Sequence, residues 1–391
     1  MLLKEIRIKN FKIIQDSSQL PLQPLTVLIG RNGSGKSSVI ESLDWLSHAV
    51  YSGAQSATEP FQRIRDVIKN WEPSTFSNFD IELALDTEDI SVGNVFYKLS
   101  VGASDTTGET PQINYEELYT DSGNETFIQT DEGNRRRRVN AADELLKVAD
   151  PDRLALTDMD PIIHRGGDLL KSFLERSVFL RLSPRTIGSF APARKKISPR
   201  LLDEEGLGLA ELLGQLDEEA LRILVEKLAF IIQEASNLET HKPESPADRR
   251  YFTFVESRLG EKTIQQIPAW VLSEGTRRVA AILAVLLHNN PPPLLCIEEV
   301  ENGLDPWTLT YLIDELTSAT MRGTQIILTT HSPYLLNMVP LENIILCDRQ
   351  ANNAVFSVGS ALEGLDVVSD RMGLGDLYAN RYLHRSSKED I

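Results

Sequence analysis

The sequence predicts an α/β protein with a mixed sheet, an antiparallel β subdomain, a compact helical lobe and no long coiled coil. Three patterns predict it. An apolar strand at residues 25–29 runs straight into a glycine-rich turn and then an amphipathic helix. Short alternating segments fill residues 79–130, separated by turn-rich stretches. From Trp270 onward apolar runs and helical patterns alternate, as parallel strands joined by crossover helices do.

Taken in chain order, residues 3–9 alternate imperfectly, with Ile6 and Ile8 set against Glu5, Arg7 and Lys9, and predict a first strand ahead of the one at 25–29. After the glycine-rich turn, Val39, Leu43, Leu46 and Val50 fall on one face of a helix over 35–49. Residues 79–85 and 95–101 read as strands of an antiparallel meander, with turns at 102–111 and 121–124. Residues 141–239 read as mostly helical. The clearest helix there spans 217–237, where Leu221, Leu224, Val225, Leu228 and Ile232 share a face. No heptad pattern lasts three or four repeats, which excludes a long coiled-coil arm. The last part predicts a helix at 279–287, a strand at 294–297, a helix at 308–319 and strands at 325–329 and 343–347. The sheet is therefore split across the chain, within a single head over 1–391: an N-terminal part to 135, an inserted lobe over 136–268 and a C-terminal part from 269.

Composition narrows the function classes. With 41% hydrophobic and 25% charged residues the chain is neither disordered nor fibrous. No apolar run reaches membrane-span length, and charges punctuate the first residues where a signal peptide would be apolar, so a cytoplasmic protein with no membrane partner is expected. Cys296 and Cys347 are the only cysteines, each inside an apolar run, which excludes a disulfide framework or zinc site and makes both core residues. A net charge of −17 and a pI near 4.9 exclude a surface that grips nucleic acid all over, while leaving a local basic groove open. The four consecutive arginines at 135–138 follow a polar, turn-rich stretch and read as a solvated loop, with a nucleic-acid contact as the alternative.

The glycine-rich turn reads Gly30, Arg31, Asn32, Gly33, Ser34, Gly35, Lys36, Ser37, then Ser38 in the helix. Glycines there let backbone N–H groups curl around phosphates, the helix N-terminus adds its positive end, Lys36 reaches the β and γ phosphates, and the Ser37 hydroxyl takes Mg²⁺. The run Leu294, Leu295, Cys296, Ile297 ends in Glu298 and Glu299. Two acids at a strand end are by themselves an ordinary start of a polar loop. Paired with a phosphate loop, they supply one carboxylate to the metal's water shell and another to the attacking water. Leu272, Ser273, Glu274, Gly275 and Thr276 precede the apolar helix at 279–287 and read either as a helix cap or as a second anion site. Gly303, Leu304, Asp305 and Pro306 form a turn after the acids, and His331 ends the strand that follows.

This ordered set resembles the ABC-type ATPases of the RecF and SMC group, and the single-head ATPases of the AAA family, similar to overcoming-lysogenization-defect (OLD) ATPases without a Toprim domain. The opening Asn10, Phe11, Lys12 resembles the Asn-Phe-basic start of that group. The resemblance implies a P-loop NTPase head of ABC type that hydrolyses ATP with Mg²⁺ and pairs with a second copy in an ATP sandwich. In that reading Gly30 to Ser38 bind the nucleotide, Glu298 and Ser37 hold the metal, Glu299 is the general base and His331 senses the γ-phosphate. Ser273, Glu274 and Gly275 close over the nucleotide of the opposite subunit, Asp305 lies in the D-loop, and Lys12 touches the nucleotide. Two departures stand out: Glu298 replaces the Asp of many relatives, and Glu274 and Thr276 replace the Gly and Gln of transporter signatures. Gln62, Gln112 and Gln129 all remain candidates for the Q-loop.

The expected function is a nucleotide-gated dimeric clamp or switch in bacterial anti-phage defence, acting with a separate effector protein, a nuclease or a toxin. The alternative is a DNA-repair ATPase that binds DNA. A transporter ATPase fits less well, because those subunits place the phosphate loop and signature much closer together than Lys36 and Leu272. A non-hydrolysing scaffold is disfavoured by the intact Glu299. The stretch after His331 is too short for the nuclease domain that some relatives carry.

Overall fold

The computed structural model describes residues 1–69, 77–104, 107–121, 126–131, 134–138, 145–148, 150, 152–162, 164–189, 191–192, 199–232, 235–241, 249–257, 264–361 and 373–380. Two compact units divide these residues, one formed by 1–175 with 329–391 and the other by 176–328.

In the first unit, β1 (Leu2–Phe11) alternates buried Leu3, Ile6, Ile8 and Phe11 with outward polar residues, and the chain turns back through β2 (Ile14–Asp16) and β3 (Leu20–Pro21), both antiparallel to β1. The strand β4 (Leu25–Gly30) is buried on every residue and feeds the long helix α1 (Lys36–Ser52), followed by the short helices α2 (Ala54–Thr58) and α3 (Ile64–Val67). The meander follows: β5 (Asn78–Asp86), β6 (Asn94–Ala103), β7 (Pro111–Thr120), β8 (Thr126–Asp131), β9 (Asn134–Arg138) and β10 (Leu145–Lys147). These strands and β1 to β3 form one antiparallel sheet, with β5 beside β1 in the register Ile6↔Leu83 and Ile8↔Ile81. Strict alternation in β5 turns Phe79, Ile81, Leu83 and Leu85 inward, where Phe79 meets the rings of Phe11 and Trp45 edge-on. The helix α4 (Arg165–Arg176) closes this stretch, with Leu170, Phe173 and Leu174 on its buried face.

The second unit opens with β11 (Val178–Leu180), β12 (Ala191–Pro192), α5 (Leu209–Leu213) and α6 (Glu218–Leu228). An antiparallel group follows, β13 (Ala235–His241), β14 (Arg249–Ser257) and β15 (Ile264–Pro268), in which β14 pairs with β12, β13 and β15. Then come α7 (Glu274–Leu287), β16 (Leu294–Ile297), α8 (Pro306–Met321) and β17 (Gln325–Thr330). Parallel pairing of β16 with β17 is what the helix-strand alternation implied, and β11, from a stretch read as mostly helical, also pairs parallel with β16. The chain returns to the first unit through α9 (Pro333–Leu336), β18 (Ile344–Gln350), β19 (Asn353–Val358) and α10 (Leu374–Ala379). There β18 runs parallel to β4, with Cys347 opposite Gly30, so strands from both ends of the sequence share a sheet as expected.

Two expectations change. The arginines at 135–138 are not loop: they form most of β9, laddered between β8 and β10. The backbone hydrogen-bonding of a meander outweighs the polar composition that suggested a turn. The stretch 141–239 holds α4, α5 and α6, yet also β10, β11, β12 and the start of β13. Its clearest helix, expected to run to 237, ends at Leu228, and Ala235 and Asn237 are instead paired with Glu256 and Val255 of β14. Positions 122–124 of one expected turn and 105–106 of another lie outside the described residues. The longest described helix is the 17-residue α1, and no helix among the described residues is long and apolar enough to cross a membrane.

Candidate nucleotide site

The phosphate loop is built by a strand that cannot go further and a helix that cannot start earlier. Gly30 ends β4 where a β-carbon would lie 2.0 Å from the Cys347 carbonyl oxygen. Gly35, with φ 101°, then caps α1 in the left-handed region without any side-chain hydrogen bond, and no acid occupies the first turn. The N-terminal dipole of a 17-residue helix is thus left without an anionic side chain of its own, the arrangement that suits a phosphate. The Lys36 ammonium is nearly buried and folds back over the loop, donating to the carbonyls of Gly30 at 2.8 Å and Arg31 at 3.1 Å. The Ser34 hydroxyl is buried and has no hydrogen-bond partner among the described residues. Arg31 and Asn32 are exposed at the loop tip, Ser37 is half-buried and Ser38 buried. A buried hydroxyl without a partner and an ammonium held on carbonyls both fit a loop completed by a polyphosphate.

The paired acids sit at the carboxyl end of β16, the end at which parallel sheets bind ligands. Glu298 is almost buried: its amide donates to the Leu180 carbonyl at 2.8 Å, and its Oε1 accepts from Arg181 Nη2 at 2.5 Å. Glu299 is exposed and has φ 48°, a left-handed backbone that a non-glycine residue seldom adopts. Asn302 Nδ2 donates to Glu299 Oε2 at 2.5 Å. Strain at such a point is typical of functional turns. Among the described residues no cluster of three or more His, Cys, Asp or Glu could hold a metal by itself. Hard oxygen donors suit Mg²⁺, which commonly keeps several waters and takes its remaining ligands from substrate phosphates.

The turn read as the signature is a helix cap. Ser273 is exposed, and its Oγ accepts from the Thr276 amide at 3.1 Å and contacts the Thr276 hydroxyl at 2.8 Å. Gly275 packs so closely that a β-carbon would lie 2.4 Å from the carbonyl oxygen of Gly303, which brings the signature turn and the D-loop together within the second unit. Asp305 caps α8, accepting from the amides of Trp307 and Thr308 and from the Thr308 hydroxyl at 2.6 Å. Those hydrogen bonds, that of the hydroxyl first, hold its carboxyl below the usual value.

Lys12 sits, with φ 49°, at the turn between β1 and β2, and its ammonium pairs with Glu41 of α1 at 2.5 Å while lying over the Phe61 ring. The structure therefore places it on the phosphate-loop helix rather than on the loop itself. His331 follows β17 directly and is half-buried. Of the Q-loop candidates, Gln62 lies in a left-handed turn with φ 70° and Gln112 and Gln129 lie in strands β7 and β8. Three neighbours escaped sequence reasoning. Asn302 stands three residues after Glu299. Arg181 directly follows the three-residue strand β11. Arg278, a buried arginine four residues after Glu274, donates to Glu274 Oε1 at 3.4 Å and to the Leu182 carbonyl at 3.0 Å. Burial pushes the Arg278 guanidinium below its usual value, opposed by Glu274, Glu299 and Glu301. The only signal for Arg278 was an i, i+4 acid-base pair on a predicted helix.

A family model described as "AAA domain, putative AbiEii toxin, Type IV TA system" matches residues 25–337. A curated OLD nuclease of Thermus scotoductus is 33% identical over 85 residues, a segment that spans 22% of this chain and 13% of that protein. Solved structures share the fold at low identity. An SMC head bound to the C-terminal winged-helix domain of ScpA aligns with TM-score 0.56 and 15% identity, over 91% of this chain and 98% of that one. An SMC head with an extended coiled coil, bound to the C-terminal domain of ScpA and derived from Pyrococcus furiosus, gives 0.52 and 14%, over 94% and 99%. The SMC head domain from Thermotoga maritima gives 0.50 and 15%, over 92% and 99%.

Proposed function

This chain belongs to that AAA-domain family of P-loop ATPases, and from that premise we propose that it is a nucleotide-gated switch in which ATP joins two copies face to face and hydrolysis parts them. The observation that carries the reading is the phosphate loop: a helix start capped only by Gly35, beside the buried Lys36 ammonium. Lys36 and the loop amides bind the β and γ phosphates, and Ser37 and Glu298 hold Mg²⁺ directly or through water. Bound Mg²⁺ supplies positive charge against the phosphate oxygens. Glu299 accepts the proton of the attacking water, its carboxylate held by Asn302. His331 senses the γ-phosphate. From the opposite copy Ser273, Glu274 and Gly275 close over the same nucleotide, with the exposed Ser273 and the N-terminus of α7 as the anion-facing parts.

The output belongs to a partner. A family description that names a toxin of toxin–antitoxin type, and a short match to an OLD nuclease, support a role in bacterial anti-phage defence, in the cytoplasm, with a separate nuclease or toxin effector. Binding of a fluorescent ATP analogue tests the site. The wild type should bind in the micromolar range or tighter, Lys36→Ala should lose binding, and Glu299→Gln should bind without turnover. Unchanged affinity in Lys36→Ala would remove the phosphate-loop assignment, and continued hydrolysis by Glu299→Gln would remove Glu299 as base.

A further inference from the structure

We infer that Arg181 is a positioning residue for the metal carboxylate Glu298. The parallel register sets Leu180 opposite Ile297, so the residues that follow, Arg181 and Glu298, leave the sheet side by side at its ligand-binding end. Two contacts join them. The Glu298 amide is bound to the Leu180 carbonyl at 2.8 Å, which fixes the backbone, and Arg181 Nη2 holds Oε1 at 2.5 Å, which fixes the side chain.

Arg181 is itself anchored. Its amide donates to the Glu204 carbonyl at 2.9 Å, and its Nε lies 3.9 Å from the Glu204 carboxylate, so the guanidinium bridges a loop acid and the strand-end acid. Glu298 is 9% exposed in its side chain, whereas Arg181 is 49% exposed, so the carboxylate is the buried partner and the arginine reaches in from the surface.

The chemistry explains why this position needs such a partner. A glutamate has one more rotatable bond than an aspartate, so its carboxylate samples more positions at the same strand end. A carboxylate can accept on both oxygens. With Oε1 tied to the guanidinium, the plane of the carboxylate is set, and with it the direction in which Oε2 would be offered to a metal or its water shell. Partners that orient a metal ligand through its other acceptor are a general feature of metal sites, and their loss weakens metal binding about 10- to 100-fold.

A guanidinium could instead act purely as a counter-charge that competes with the metal. The two roles predict opposite signs. Removing a competitor tightens metal binding, whereas removing a positioning residue loosens it.

This inference rests on Glu298 being the metal carboxylate, and the test separates the two. Mn²⁺ binding to the protein with a non-hydrolysable ATP analogue is followed by the loss of free Mn²⁺ signal in electron paramagnetic resonance. Arg181→Met should weaken Mn²⁺ about tenfold, Arg181→Lys should recover much of that loss, and in a Glu298→Asp background, where the shorter side chain falls short of the guanidinium, Arg181→Met should change little. In steady state kcat should fall in Arg181→Met with the KM for ATP unchanged. Because Arg181 is half exposed, a thermal melt should report an intact fold. Mn²⁺ affinity that is unchanged or tighter in Arg181→Met, with Glu298→Ala weakened, would overturn the positioning role alone. Unchanged affinity in Glu298→Ala would overturn the metal role and this inference with it.

Discussion

Gly275 shows how much of this molecule turns on single atoms. Any β-carbon there would sit 2.4 Å from the Gly303 carbonyl, which is backbone and cannot rotate away. Gly275→Ala should cost about 1 to 3 kcal/mol of stability and lower ATP-dependent pairing, since the signature turn and D-loop must separate. A melt and a sizing experiment on that variant check both, and an unshifted Tm would show that the turn gives way freely. Cys347 makes a chemical prediction. Burial pushes its thiol from 9.0 up to about 12, so it stays neutral and unreactive in the folded protein. Ellman's reagent at pH 8 should label neither cysteine until the chain is unfolded. The sign for stability follows: the folded state keeps its proton, so this contribution is intact below pH 9 and fades as pH rises from there towards 12. At the residue scale the phosphate loop and the paired acids were legible because their spacing is set by chemistry. Arg181 and Arg278 were not, since each matters only through a partner, Glu298 or Glu274, that the fold brings close.

Among the elements, α8 carries a separable test. Asp305 caps it through three hydrogen bonds, so Asp305→Ala should cost about 1 kcal/mol, whereas Asp305→Asn should keep the cap and lose little stability. A carboxyl held below its ordinary value of 3.8 stabilises the fold above that pH and loses the benefit as pH falls through its folded value. The gap between wild type and Asp305→Ala should therefore narrow in acid, and a gap that stays constant down to pH 2 would deny the cap its charge. Element boundaries were readable where one pattern dominated. The run at 294–297 became β16 without shift, and the α1 stripe of Val39, Leu43, Leu46 and Val50 is buried as a face should be. They were unreadable where pairing decided, as in β9, whose arginines gave no apolar alternation, and β13, where Ala235 and Asn237 belong to a sheet rather than to the preceding helix.

For the whole molecule, the charge of −17 predicts weak contact with DNA. A mobility-shift assay at physiological salt should show no retardation by the purified protein, and tight binding there would favour the DNA-repair reading. Pairing of copies is the other whole-molecule claim. Glu299→Gln with ATP should elute as a dimer, and Ser273→Arg, which puts a bulky cation at an exposed helix start, should elute as a monomer under the same conditions. The split sheet, with β4 and β18 adjacent, could be foreseen because apolar strands were readable both before position 50 and after position 290.

Mixing two inactive variants tests the shared site most directly. Lys36→Ala lacks the phosphate-binding ammonium, and Ser273→Ala lacks the signature hydroxyl. If each nucleotide is held by Lys36 of one copy and Ser273 of the other, a mixed pair contains one intact site, and ATP turnover should reappear on mixing. Turnover that stays at the level of the separate variants, with mixed pairs shown to form, would contradict a site shared between copies.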